Sequence, residues 1–212
     1  MSLDLNIISA GDDSSGYLPA VRNLQHDLPS LPITAWNVPR MVTDLLETCG
    51  REPHSIRSLR IFGHGVPGCQ FIGSGNQLPE LEYKKLGWNA SRNGLYNLTS
   101  LTLLRGYFDG NGCVVLHGCQ VAAGDIGRKF MEHLSRLWQV SVAASMDNQV
   151  EELSGNGPLR SLHGRIRQVL FNLPNRGLVR GRDYSITYNS VNETPETPIH
   201  MVNQIPETPL RQ

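Results

Sequence analysis

Two stretches of the chain end an apolar run on a side chain that can move a proton or attack a carbonyl. Arg60-Ile61-Phe62-Gly63-His64-Gly65 presents an imidazole between two glycines, and Val114-Val115-Leu116-His117-Gly118-Cys119 presents a thiol after one. A thiol becomes a nucleophile as its thiolate, and a nearby histidine supplies either the base or a stabilising imidazolium. His64 and Cys119 are therefore the minimum equipment of a cysteine hydrolase, if the fold brings the two turns together. Backbone N–H groups of Gly65 and Cys119 would then face the oxyanion developing on an acyl substrate. His117 is a rival base, two residues before Cys119 on the same face of an extended strand. Its other roles are to pack in the core or to line the pocket against substrate. His64, Cys69, His117 and Cys119 are also metal-ligand types, but their spacings do not match the paired-cysteine patterns of zinc modules. Neither a metal nor a cofactor is expected. No Gly-x-Ser-x-Gly elbow is present, which weakens a serine-hydrolase reading.

The elements that must carry these turns can be read from periodicity. Leu5 to Ile8 reads as a strand, and Leu18, Val21, Leu24 and Leu28 recur at helical spacing over 15–28. A second strand follows at Ile33 to Val38. Pro39 then opens an amphipathic helix that ends near Gly50. Ile56 to Phe62 is a third strand, closed by Gly63-His64-Gly65, and a glycine-rich, hairpin-like stretch runs on through Gly75. Leu98 to Phe108 looks helical, stopped by Gly110-Asn111-Gly112. Val114 to Leu116 is wholly apolar, as a strand buried on both faces would be. A helix from about Asp125 to Trp138 and a strand at Val140 to Ala144 complete the alternation. Strands alternating with helices demand a mostly parallel sheet with helices on both faces, and such sheets place their sites at the carboxyl ends of the strands. His64 and Cys119 both stand there.

Composition bounds the function classes. The chain's 212 residues suit one well-cored domain, with 19 Lys+Arg balancing 19 Asp+Glu. Zero formal charge argues against a general polyanion binder, and no stretch reaches the roughly 20 apolar residues of a membrane span. The first residues have no basic segment or long apolar core, so a secretory signal is not expected and a cytoplasmic, reducing location is. Four cysteines (Cys49, Cys69, Cys113, Cys119) are too few for a disulfide scaffold, and Cys49 and Cys113 read as core or helix-end thiols. Trp36, Trp88 and Trp138 read as core or groove residues. After Ser145 the pattern loosens. Arg160, Arg165, Arg167, Arg176, Arg180 and Arg182 gather there with no acid between Leu153 and Arg182, giving either a solvated face or a dock for an acidic partner. Nucleic acid is not expected, because no pattern of aromatic interleaving supports it. The domain is expected over 1–188. Residues 189–212 repeat Glu-Thr-Pro and are expected to be extended or disordered.

The paired His-Gly and Gly-Cys strand ends resemble the caspase-like cysteine peptidases, a superfamily that includes caspases, metacaspases, gingipains, separases and bacterial CHAT domains. Phe62 to Gly68, Leu116 to Gly127 and Val142 to Ser145 look more closely like a bacterial caspase-like domain of uncharacterised function that commonly opens large adhesin or repeat proteins. The resemblance covers 5–145. It implies a three-layer α/β sandwich and an endopeptidase in which Cys119 attacks, His64 handles the proton, and a protein or peptide is the substrate. In some of these peptidases the loop after the first strand lines the S1 pocket; here it contains Asp12 and Asp13, which would favour a basic P1 residue. The sequence departs from metacaspases at His117, where they carry an acidic residue and caspases carry glutamine. The alternative from another class is a caspase-like interaction module that keeps the fold and not the chemistry.

Overall fold

The structure, a computed structural model, describes residues 3–10, 31–73, 81–82, 99–148, 150–153, 159–172 and 177–189. In chain order these form β1 (Leu3–Ser9), β2 (Leu31–Ala35), α1 (Val38–Cys49), β3 (Ile56–Phe62), β4 (Gly65–Val66), β5 (Cys69–Gln70) and β6 (Leu81–Glu82). They continue with β7 (Phe108–His117), α2 (Gly124–Trp138), β8 (Ser141–Ser145), β9 (Val150–Leu153), β10 (Leu159–Asn172) and β11 (Gly177–Asn189).

The main sheet has eight strands, ordered β11-β10-β8-β7-β3-β1-β2 with β9 pairing β10 off that path. The run β2-β1-β3-β7-β8 is parallel throughout, while β9, β10 and β11 add antiparallel ladders. One face of the parallel run carries Leu5, Ile7, Leu59, Ile61, Val114, Leu116, Val142 and Ala144, packed with α1 and α2 in one core. The opposite face is buried as well, with Cys113, Val115, Ala143 and Ile166 clustered there. Burial on both faces is what makes Val114–Leu116 of β7 and Val142–Ala144 of β8 read as continuous apolar runs. The expected α/β sandwich built on a mostly parallel sheet is thus the fold observed. The helix expected over 15–28 and the tail from 190 onward lie outside the described residues, as does Trp88.

Local chemistry explains the helix bounds. Asn37 caps α1, its Oδ1 accepting from the Arg40 N–H at 2.8 Å, so the strand expected to reach Val38 ends earlier, at Ala35. Pro39 lies in the first turn, and Gly50 closes the helix at φ 62°. Val38, Met41, Val42 and Leu45 are the buried stripe, each removal from water being worth roughly 1.5–3 kcal/mol. In α2 the stripe is Phe130, Met131, Leu134 and Trp138, whose indole N–H donates to the Leu101 carbonyl at 3.0 Å.

Three expectations need correction. The helix expected from Leu98 to Phe108 is helical at 99–102 and then tightens into a 3-10 turn, Leu103–Gly106; Phe108 already belongs to β7. Phe108 pairs with Ile56, and the next ladder pair joins Ser58 to Cys113, so 109–112 bulge out of the register. Gly110-Asn111-Gly112 therefore shapes a bulge inside a strand and stops no helix. Burial of Phe108 against Trp138, with ring centroids 5.9 Å apart, outweighs its helical spacing. Secondly, the loosened stretch after Ser145 holds β9, β10 and β11. Arginines alternate there with apolar residues, which hides the strand from a search for apolar runs. Thirdly, Trp36 is 59% exposed at the carboxyl end of β2, so of the core and groove readings given for it the core one fails.

Candidate active site

The parallel ladder of β3 and β7 runs through Phe62 opposite His117. Each chain then continues two residues, to His64 and to Cys119, so the register sets the two motif turns side by side at the carboxyl edge of the sheet. The contact is backbone on backbone. A Cβ added to Gly65 would lie 2.9 Å from the Cys119 carbonyl oxygen, and one added to Gly118 would lie 3.0 Å from the Gly65 Cα. Only glycine permits that approach. His64 is exposed at its turn and Cys119 is half-buried, so both have a solvent-facing aspect.

The hairpin of β4 and β5 fixes the histidine side. The His64 carbonyl accepts from the Phe71 N–H at 2.9 Å, and Ser9 Oγ at the end of β1 bonds the Gly73 carbonyl and N–H at 3.1 and 2.9 Å. The Gly68 N–H crosses to the Val121 carbonyl at 3.0 Å and ties the hairpin to the cysteine loop.

The cysteine loop is held from the other side by β8 and β10. Gln120 takes a left-handed φ of 59°, unusual for a residue with a Cβ, and Gly124 opens α2 at φ 63°. Such a loop keeps its shape only if several contacts determine it. The Gln120 N–H donates to the Asp147 carbonyl and the Ala122 N–H to the Ser145 carbonyl, both at 2.8 Å. Arg167 of β10 reaches over to donate through Nη1 to the carbonyls of Ala122 and Gly124 at 3.1 and 3.4 Å. Arg165, one turn of the ladder away, forms a two-bonded ion pair with Asp147 at 2.5 and 2.7 Å, and its hydrogen bonds hold the Asp147 carboxyl below the ordinary carboxylate range. Two members of the arginine group are therefore bound within the chain. These braces were not foreseen, because the strand that carries them was not.

His117 lies elsewhere. It is fully buried and stacked on Phe62, with ring centroids 4.4 Å apart and 6° between planes. Burial, followed by the Arg60 guanidinium, pushes its pKa down to about 3, so it is neutral at physiological pH. Of the roles weighed for it, packing is the one this geometry describes. Cys113, on the same strand, is 4% exposed with its thiol pushed up to about 12 by burial, and burial also raises Cys49. Cys69 is buried in β5. Asp12 and Asp13 lie outside the described residues. Among the described residues, no three His, Cys, Asp or Glu side chains come together to hold a metal ion, and no helix is long and apolar enough to cross a membrane.

No curated protein and no solved structure matches the chain. One family does, over residues 37–175, a span that begins at the cap of α1, contains both motif turns and the Arg165 and Arg167 braces, and ends just after β10. That span is more than half of the chain, which therefore belongs to the family described as Domain of unknown function (DUF4347).

Proposed function

We propose that the domain is a cysteine endopeptidase of caspase-like type. The observation that supports this reading is the β3–β7 register, which brings together the turns that carry His64 and Cys119, with the Gly65 and Gly118 backbones in contact. His64 takes the Cys119 proton, and the thiolate attacks the scissile carbonyl carbon of a protein or peptide substrate. The carbonyl π electrons move to oxygen, where the amides of Gly65 and Cys119 stabilise the charge. Collapse expels the amine, which leaves with the proton from His64. Water, deprotonated by His64, then hydrolyses the thioester, releasing the carboxylate product and restoring the thiol. No step calls on a cofactor. Basic P1 preference follows if the loop carrying Asp12 and Asp13 lines the pocket; Asp12→Asn with Asp13→Asn should then equalise cleavage after basic and neutral residues. The reading sets the domain in the cytoplasm, a compartment that keeps its four thiols reduced.

The test is covalent. A panel of peptidyl chloromethyl ketones with varied P1 residues should label the protein once, at Cys119, near pH 7, and should leave the His64→Ala protein largely unlabelled. Labelling that is absent in the wild type, or spread over several cysteines, would favour the silent interaction module instead.

A further inference from the structure

Gln70 is a fully buried polar side chain lying between the two motif turns. It sits on β5, opposite Gly65 in the hairpin ladder. Its Nε2 donates to the His64 carbonyl at 3.3 Å and to the Phe71 carbonyl at 3.4 Å. Its Oε1 points the other way: a Cβ added to Gly118 would lie 2.7 Å from it, and one added to Gly63 would lie 3.0 Å from Nε2. Two glycines, one in each motif, thus make room for a single carboxamide. The Oε1 atom is buried with no hydrogen-bond donor among the described residues. A buried acceptor in that state costs free energy, typically about 1–3 kcal/mol. An apolar side chain would fill this space without a polar atom to satisfy, so the feature to explain is the contact of the carboxamide Nε2 with the His64 and Phe71 carbonyls.

We infer that Gln70 is a positioning residue for the His64–Cys119 pair, acting as a spacer that anchors the His64 backbone and sets its distance from the Gly118–Cys119 turn. This inference rests on the proposed dyad. It goes beyond it by assigning the alignment of the two turns to one side chain that touches neither reacting atom. Alignment matters because a displacement of the order of 1 Å at a reacting pair can cost about a hundredfold in rate.

Gln70→Met separates positioning from folding. Methionine is of similar length and flexible; it removes the acceptor that has no donor along with the two long Nε2 bonds, losses that offset, so the thermal midpoint should stay within a few degrees. The rate of Cys119 alkylation by iodoacetamide is measured against pH for the wild type, His64→Ala and Gln70→Met. The expected result is that Gln70→Met slows alkylation near pH 7 by about tenfold or more and moves its pH profile toward that of His64→Ala, with the midpoint kept. If His64→Ala is slow while Gln70→Met follows the wild-type profile, the positioning role is overturned and the dyad stands. If His64→Ala itself alkylates as the wild type does, the dyad fails and this inference fails with it. Should Gln70→Met not fold, Gln70→Asn, which keeps the amide one methylene shorter, is read by the same three-way comparison.

Discussion

Strand β7 and the edge of the sheet just beyond it carry the same two residue types in opposite circumstances. Inside the strand, Cys113 and His117 are buried, one with its thiol pushed up to about 12 and the other with its imidazole pushed down to about 3. Both are held neutral by the same cause, removal of the charged form from water. Beyond the strand, Cys119 is half-buried, and its turn is in backbone contact with the turn of the neighbouring strand that carries an exposed His64. The same side-chain types are thus buried within the strand and solvent-facing just beyond the sheet's edge. Reactive residues belong where the ladder stops and the chain turns, because there backbone and side chain meet solvent on a rigid frame.

The comparison breaks most visibly at the sulfur. Cys119→Ala should lower turnover of any cleaved peptide by roughly 10⁴-fold or more, as loss of the nucleophile does in other peptidases. Cys113→Ala should leave turnover within a few-fold, although it opens a small cavity. Peptide-library cleavage by the two variants, each checked for folding, makes the contrast quantitative.

Thiol selectivity sharpens it. Burial closes Cys113 to reagent and pushes its thiol up to about 12, so at pH 8 Cys113 should stay unlabelled by iodoacetamide in the folded chain while Cys119 reacts. Mass-spectrometric mapping of the labelled sites reads this directly. Labelling of Cys113 before Cys119 would show that the strand interior opens more readily than its edge reacts.

His117 offers a stability counterpart. His117→Ala removes a buried ring stacked on Phe62 and should cost about 2–4 kcal/mol in denaturant unfolding. Its pH dependence has a definite sign. The folded pKa lies below the ordinary 6.5, so between about 3 and 6.5 the unfolded chain binds a proton that the folded chain refuses. This contribution to stability is complete above pH 6.5 and drains as pH falls toward 3, at up to about 1.4 kcal/mol per pH unit. His117→Leu should show a correspondingly shallower acid limb than the wild type in denaturation curves measured at stepped pH.

The smallest expected effect concerns the brace on the cysteine loop. Arg167→Ala removes the donor to the Ala122 and Gly124 carbonyls and should lower global stability by only about 1–2 kcal/mol. It should nonetheless raise hydrogen exchange at the amides of 120–124 selectively, since their left-handed geometry at Gln120 depends on outside contacts. Unchanged exchange there would mean that the two hydrogen bonds to Ser145 and Asp147 suffice.

How much of this was legible in the sequence follows from what each region buries. The end of β7 announces itself because Val114, Val115 and Leu116 are covered on both faces and wholly apolar, β3 because it closes on Ile61 and Phe62 before a glycine turn, and α1 and α2 because each covers one face with a stripe of period 3.6. The motif turns were legible for the same reason: a glycine after an unbroken apolar run marks where the sheet ends. β10 was not legible. Its ladder places arginines between apolar residues, and Arg165 and Arg167 serve partners from distant parts of the chain, Asp147 and the cysteine loop. The start of β7 was hidden by a bulge whose glycines look like a stop. Gln70 gave no signal at all, since a glutamine in a glycine-rich hairpin is ordinarily solvated, and only the third dimension shows it buried between Gly63 and Gly118.

The central claim is that the histidine of the neighbouring strand, and not the one on the cysteine's own strand, serves the nucleophile. It is tested most directly by turnover of a diverse peptide library by His64→Ala and His117→Ala side by side, with both confirmed folded. The account predicts a loss of roughly 10²–10⁴-fold for His64→Ala and measurable turnover for His117→Ala. Full activity in His64→Ala with loss in His117→Ala would contradict it.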